Sequence, residues 1–171
     1  MRVGARLGAL VAALALLGGW PAAALAAVPT SLAIPDIGVQ AAIVPVGLTD
    51  DGALDAPTDP DTVGWYELGA GLGGSGNVVL DGHVDWGGRL RVFGELRQVG
   101  PGTTVMVGDA DSDVAQYQVV WSRWYAADAT DLDDVFGASA TPELTLITCG
   151  GEFDAVRHEY LSRLVVRAER V

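Results

Sequence analysis

The chain contains one cysteine and two histidines, so a catalytic pair of thiol and imidazole has few possible members. Cys149 ends the β-prone run Glu143 to Thr148, and two glycines follow it at once. This pattern predicts that the thiol lies where a strand ends and a flexible turn begins. An inert cysteine is more typical of the middle of an apolar run. Cys149 is therefore a candidate nucleophile, and the N–H of Gly150 is free to approach a bound carbonyl.

The two histidines have different neighbours in the sequence. His83 follows the apolar run Asn77 to Leu80 and a glycine, much as Cys149 follows its own strand. His158 lies in a charged run, next to Arg157, which is typical of a solvated loop. His83 is the better candidate for the imidazole, and an ordinary turn histidine is the alternative for it.

Arg163 opens a second strand-like run, Leu164 to Ala168. If this run forms a hairpin with the strand before Cys149, Arg163 lies near the thiol. A thiol is a useful nucleophile only as thiolate, and its ordinary pKa of about 8.5 falls beside positive charge. Arginine keeps its proton, so it suits the stabilisation of an anionic tetrahedral intermediate, whereas His83 suits protonation of a leaving amine. A surface salt bridge is the alternative role for Arg163.

The elements that must position these residues are mostly strands. From Ser31 onward about eight short β-prone runs alternate with turns, and a glycine-rich connector covers Gly69 to Gly76. The helix candidates are Val92 to Val99 and Asp131 to Phe136, with Asp131 as a possible cap. Such a pattern suits an all-β, closed eight-stranded barrel with one or two short helices, because closure removes exposed strand edges.

Composition excludes several other functions. The 171 residues carry a net charge of −12, and the ten cations form no basic stripe, so no nucleic-acid partner is expected. A lone cysteine excludes an internal disulfide. Asp109, Asp111 and Asp113 alternate like the start of a calcium loop, but the glycine and closing glutamate of such a loop are missing. We therefore predict a hairpin turn there, no metal and no cofactor.

Residues 1–27 have the pattern of a signal peptide. Arg2 and Arg6 precede an apolar run from Leu7 to Trp20, and the small-residue pattern Ala24-Leu25-Ala26 follows. Cleavage after Ala26 is favoured over an uncleaved membrane anchor, because the apolar run is short for a membrane span. Either way residues 28–171 are predicted to form one folded domain on the outside of the cell, with membrane association through residues 1–27 as the alternative.

The combination of Thr145 to Cys149, Gly82-His83 and Arg163 resembles the sortases, which are exported cysteine transpeptidases with an eight-stranded barrel. Further segments are most like the class F branch of that family: Leu32 to Val39, Asp51 to Pro57, Val63 to Tyr66, Gly82 to Trp86 and Cys149 to Gly151. The resemblance covers nearly everything from Ser31 to Ala168. One departure is Asp81, which stands where such sequences commonly have a small apolar residue. Its carboxylate either interacts with His83 or faces solvent.

Carried over to this chain, the family's nucleophile, histidine and arginine fall on Cys149, His83 and Arg163. The resemblance implies cleavage of the Thr-Gly bond in a Leu-Pro-x-Thr-Gly-like sorting signal, through a thioacyl enzyme that an amine of peptidoglycan or of another protein subunit resolves. Thr148 and Gly150 are candidate substrate-binding residues. Arg157 is a less favoured alternative to Arg163, because Arg163 begins a strand.

Two other functions stay open from the sequence. An exported cysteine acyltransferase of the L,D-transpeptidase type also needs cysteine and histidine, but its cysteine normally follows a Ser-x-Gly pattern, which Thr148-Cys149 does not fit. A non-catalytic surface module with the same barrel is the other possibility, and it predicts a buried, unreactive Cys149.

Overall fold

The structure is a computed structural model that describes residues 26–171. Most of the predicted leader, residues 1–27, lies outside the described residues, so its cleavage stays a prediction. The described part of the chain forms ten strands, with these bounds: Pro29–Ile34 (β1), Val39–Val46 (β2), Val63–Tyr66 (β3), Gly76–Asp81 (β4), Asp85–Trp86 (β5), Arg89–Leu90 (β6), Thr104–Asp109 (β7), Val114–Ala126 (β8), Pro142–Asp154 (β9) and Glu159–Arg170 (β10).

Eight of these strands form a closed barrel in the order β1-β2-β3-β4-β9-β10-β8-β7, and β5 and β6 form a separate small hairpin. The predicted closed eight-stranded barrel is confirmed. The central strand β9 pairs in parallel with β4 and antiparallel with β10. These three neighbouring strands deliver all the candidate catalytic residues.

Side-chain alternation divides each of the three strands between the barrel interior and its outer face. Leu80 of β4, Leu146 of β9 and Val166 of β10 are fully buried in the core. Successive side chains of a strand point to opposite faces, so odd-numbered positions of these three strands face outward. Cys149 and Arg163 therefore belong to the outer face, whereas Thr148 belongs to the interior.

The helical content is smaller than the sequence predicts. Within Val92 to Val99 only a short 3-10 helix forms, at Leu96–Gln98, so the predicted α-helix there is wrong. The apolar residues of that segment are nevertheless buried, because Phe93 and Leu96 pack into the barrel core. Their spacing thus reflects burial of an irregular segment.

The second predicted helix is confirmed with different bounds. It is a four-residue α-helix, Asp133–Phe136 (α1), in the connection between β8 and β9. Its N-cap residue is Leu132, and no side chain caps it, so the predicted capping role of Asp131 is wrong. A further 3-10 helix at Pro35–Ile37 follows β1.

The acidic run between β7 and β8 forms a hairpin turn. Asp109 Oδ1 accepts hydrogen bonds from the backbone N–H groups of Asp111 and Asp113, at 2.9 and 3.0 Å. Within residues 26–171 no three acidic, histidine or cysteine side chains cluster as a metal site would require. In the same part of the chain, no helix has the length and apolarity needed to cross a membrane.

Candidate active site

Cys149 and Arg163 are direct cross-strand partners. In the antiparallel ladder of β9 and β10, Cys149 lies opposite Arg163. Directly opposite residues have neighbouring side chains on the same face of a sheet. The predicted hairpin is confirmed, and it brings the thiol and the guanidinium together.

His83 reaches the same face from the other side of β9. In the parallel ladder, Asp81 at the end of β4 pairs with Ile147. The pairing continues past the strand, because Gly82 N donates to Ile147 O at 3.1 Å. Two residues beyond each member of the Asp81–Ile147 pair come His83 and Cys149, so the backbone brings both residues to the same end of the paired strands.

Backbone and aromatic contacts fix the His83 ring. Its Nε2 lies 2.8 Å from the carbonyl oxygen of Pro57. A carbonyl only accepts hydrogen bonds, so Nε2 carries the proton and Nδ1 of the neutral ring is the acceptor. Trp86 packs edge-on against the ring, with centroids 5.2 Å apart and planes at 72°. The imidazole is thus held with one nitrogen occupied and the other available for proton transfer.

The carbonyls of its own strand hold the Arg163 guanidinium. Nη1 donates to Tyr160 O at 2.9 Å and to Ser162 O at 3.1 Å. Within residues 26–171 its Nε and Nη2 atoms make no hydrogen bond to protein, and no carboxylate pairs with it. An oriented guanidinium with unused donors suits a developing oxyanion.

Burial dominates the electrostatics of Cys149. Desolvation raises the pKa of the thiol, and Arg163 opposes this shift by favouring the thiolate. The carboxylates of Asp81 and Asp85 raise the pKa further. The thiol is therefore mostly protonated near neutral pH.

Asp81 is enclosed on the same outer face. Burial raises the pKa of its carboxyl to about 7, and the nearby Asp55 carboxylate contributes to the rise. Its Oδ1 is buried without a hydrogen-bond partner. The sequence left open whether Asp81 faces solvent, and the structure shows that this oxygen does not.

Thr148 and Gly150 occupy the interior side of β9. The Thr148 hydroxyl donates to Gly82 O at 2.7 Å, which ties the end of β4 to β9. Gly150 is buried, and a methyl group there would collide with the Trp124 ring. In this structure Thr148 contacts a backbone carbonyl and Gly150 packs against a tryptophan ring. Direct contact of either residue with substrate stays a prediction.

His158 and Arg157 lie in the turn between β9 and β10, away from the three paired strands. His158 is exposed and has a positive φ of 58°. Arg157 is 69% exposed and lies 3.8 Å from both Asp154 and Glu159. The structure does not bring either residue into the Cys149–Arg163 pair.

Several contributors escaped sequence analysis. The Pro57 carbonyl has no side-chain signature that identifies it as a partner of His83. Gly64 leaves room for the Asp81 side chain, and the Trp124 ring packs against Gly150. Only the strand register reveals these two contacts. Asp85 stands two residues after His83, and this alternation was a usable signal for a second carboxylate near the site.

A polar cluster lies at the opposite end of the same outer face. Asn77 Nδ2 donates to Val135 O of α1 at 2.7 Å, and Thr145 Oγ1 donates to Asn77 Oδ1 at 2.7 Å. Arg167 pairs with Glu143 and also donates to the backbone of α1. We call these four side chains, Asn77, Thr145, Arg167 and Glu143, the helix-anchoring cluster. It fixes α1 against the barrel.

The chain was compared with protein-family models and with curated proteins. The model of the sortase domain matches residues 32–171, which is nearly all of the described chain. No curated protein sequence matches the chain significantly.

Solved structures with the same fold are sortases. Sortase C1 from Streptococcus agalactiae is 24% identical with a TM-score of 0.65, covering 83% of this chain and 66% of that one. A lid mutant of sortase A from Corynebacterium diphtheriae is 24% identical with a TM-score of 0.64, covering 88% and 74%. Sortase C2 of Group B Streptococcus Pilus Island 1 is 26% identical with a TM-score of 0.64, covering 83% and 73%. The chain thus spans about two thirds to three quarters of their lengths.

Proposed function

The chain belongs to the sortase family of cysteine transpeptidases, and we propose that it cleaves a Leu-Pro-x-Thr-Gly-like sorting signal and transfers the acyl group to an amine. One observation carries this proposal. Cys149 of β9 lies directly opposite Arg163 of β10, and His83 follows the end of the neighbouring strand β4 by two residues. This set matches the needs of acyl transfer: a nucleophile, a proton carrier and an oxyanion donor.

Acylation begins at the thiol. The Cys149 proton passes to Nδ1 of His83, and the sulfur attacks the threonine carbonyl carbon of the signal. The carbonyl oxygen becomes an oxyanion, which the unused donors of Arg163 stabilise. When the intermediate collapses, the C–N bond breaks and the glycine amine leaves with the proton from His83. The product is a thioester on Cys149.

Deacylation reverses these roles. The acceptor amine attacks the thioester carbonyl and gives a proton to His83, and the C–S bond breaks to release Cys149. The new bond is an amide between the threonine and the acceptor. Water competes as the acceptor and gives the free acid. We propose an amine of peptidoglycan or of another protein subunit as the physiological acceptor.

The subclass and location are part of the same proposal. The class F assignment rests on the segments Leu32 to Val39, Asp51 to Pro57 and Gly82 to Trp86. Residues 1–27 are proposed as a cleaved signal peptide or a membrane anchor, so that the barrel works at the outer face of the cell membrane.

The experiment is a product analysis. Purified protein is incubated with a Leu-Pro-x-Thr-Gly peptide and an excess of triglycine, and the products are identified by mass spectrometry. We expect cleavage between threonine and glycine, and a transpeptidation product that carries the added glycines. Cys149→Ala is the matched control and yields neither product.

Two results favour the alternatives. Transfer to peptidoglycan stem peptides without cleavage of the sorting signal points to an L,D-transpeptidase-like acyltransferase. If Cys149 resists alkylation at every pH at which the protein stays folded, the result points to a non-catalytic barrel. Either result contradicts the proposed function.

A further inference from the structure

Among residues 26–171, Asp81 is the acidic side chain that lies diagonally beside the nucleophile in the strand ladder of the outer face. It pairs with Ile147 in the ladder of β4 and β9, and Ile147 is two residues from Cys149. Side chains two apart on a strand share a face, so Asp81 and Cys149 are diagonal neighbours. No step of the reaction above uses this carboxyl.

The barrel makes room for this carboxyl on the adjacent strand. In the antiparallel ladder of β3 and β4, Gly64 lies opposite Asp81. A methyl group at Gly64 would collide with Asp81 Oδ1 and with the Val46 side chain. A glycine inside a strand costs stability and often marks a close approach of another group. Gly64 thus leaves the space that the carboxyl fills.

The enclosed carboxyl gains little from its surroundings. Its Oδ1 has no hydrogen-bond partner, and within residues 26–171 no arginine or histidine forms an ion pair with Asp81. A desolvated carboxylate oxygen without a partner costs free energy, so a reason for keeping it is expected to lie in its effect on a neighbouring group. The neighbouring reactive side chain is Cys149.

We propose that Asp81 is a positioning residue that sets the reactivity of Cys149, because its enclosed negative charge opposes formation of the neighbouring thiolate. This inference rests on the proposed role of Cys149 as nucleophile. Together with burial, the charge of Asp81 keeps the thiol protonated in the free enzyme, so that the thiolate forms mainly when its proton passes to His83 beside a bound substrate.

The other charged groups around Asp81 fit this role. Asp55 faces it from the connection between β2 and β3, and it disfavours ionisation of Asp81. Asp85 acts on Cys149 from the β5–β6 hairpin in the same direction as Asp81, but less strongly. Arg163 on β10 acts on Cys149 in the opposite direction, and His83 follows Asp81 by two residues, just beyond the end of β4.

The test is the pH dependence of Cys149 alkylation. Iodoacetamide reacts with the thiolate, forms a C–S bond and releases iodide, and Cys149 is the sole cysteine of the chain. Rates are measured from pH 6 to pH 11 by intact-protein mass spectrometry for the wild type and for Asp81→Asn, which removes the charge at constant size. Asp81→Ala, with a small apolar residue, serves as the second variant.

We expect both variants to reach half-maximal rate at a lower pH, with alkylation at pH 8.5, where Asp81 of the wild type is ionised, about three- to tenfold faster than in the wild type. At pH 7 the difference should be at most about twofold, because Asp81 is partly protonated there. The plateau rate at high pH should stay the same, because it reports access to the sulfur. A purely structural effect changes the plateau and leaves the midpoint in place. Asp85→Asn should shift the midpoint in the same direction by a smaller amount.

Superimposable profiles for wild type and Asp81→Asn would overturn the inference, as would a larger shift in Asp85→Asn. Alkylation does not need a sorting signal, so the outcome is independent of peptide cleavage. A lowered midpoint in an enzyme that fails to cleave the peptide retains the inference and rejects the proposed function.

Discussion

The outer face of β4, β9 and β10 carries polar groups at both ends, and the two ends treat them differently. At the far end, the helix-anchoring cluster forms hydrogen bonds between its own side chains and to the backbone of α1. At the near end, backbone carbonyls hold His83 and Arg163, and they occupy only Nε2 of one and Nη1 of the other. The same three strands therefore use one end for stability and leave reactive atoms free at the other.

The difference shows how a barrel carries a reactive site. Buried polar groups that are fully paired stabilise a fold, whereas unpaired ones cost free energy. At the near end, the unpaired oxygen of Asp81 lowers the stability of the fold. The paired side chains at the far end offset part of this loss by anchoring α1. Substitutions at the near end should thus change activity, and removal of the Asp81 charge should raise stability. Substitutions at the far end should lower stability and leave the reactivity of Cys149 unchanged.

The largest expected effect is at the nucleophile. Cys149→Ala should abolish formation of the acyl enzyme, because the chain has no other thiol that His83 and Arg163 could activate. Its thermal unfolding should match the wild type within a few degrees, since Cys149 is only half-buried. Residual acylation of the alanine variant in a peptide assay would show that another residue is the nucleophile.

The next effect is at Arg163. Arg163→Lys keeps the positive charge but loses the planar set of donors, so we expect kcat to fall about 100-fold or more while alkylation of Cys149 changes little. Arg157→Ala, the matched control on the exposed turn, should leave kcat within about twofold. A larger loss from Arg157→Ala than from Arg163→Lys would reverse the assignment of the two arginines.

Asp81 is expected to lower stability as pH rises. Its pKa is raised from 3.8 to about 7 in the folded protein, so the folded state holds a proton that the unfolded chain releases. The free energy of unfolding should fall between those two pH values and stay level above them. Asp81→Asn should remove this dependence and gain about 2–4 kcal/mol at pH 8, measured by urea unfolding. An equally pH-dependent variant would mean that other groups cause the loss.

At the far end of the strands, a substitution is expected to lower stability rather than raise it. Asn77→Ala leaves Thr145 Oγ1 without its acceptor and Val135 O with only the longer bond from Arg167 Nη2 at 3.4 Å, so it should cost about 1–3 kcal/mol of stability at every pH from 5 to 9. The alkylation rate of Cys149 should be unchanged, because the cluster lies at the other end of the strands. Gln98→Ala, at an exposed position at the end of the 3-10 helix Leu96–Gln98, is the control and should be neutral. A change in Cys149 reactivity would mean that the two ends are coupled.

Sequence patterns predicted the parts of the molecule that depend on local spacing. Alternation gave the strands, and the strand-then-glycine pattern located Cys149 and the hairpin that pairs it with Arg163. The apolar spacing of Val92 to Val99 was misleading, because an irregular buried segment has the same composition as a helix face. Pairings between distant strands, such as Gly64 with Asp81, depend on barrel register and leave no local signal.

The most direct test of the central claim is the intact mass of the protein during turnover of a Leu-Pro-x-Thr-Gly peptide without an acceptor amine. We predict a covalent adduct with the mass of the acyl fragment ending in threonine, located on Cys149 by peptide mapping and released by hydroxylamine as a thioester would be. The adduct should be absent from Cys149→Ala and strongly reduced in Arg163→Lys. A folded wild-type protein with an alkylatable thiol that forms no adduct with such peptides would contradict the claim.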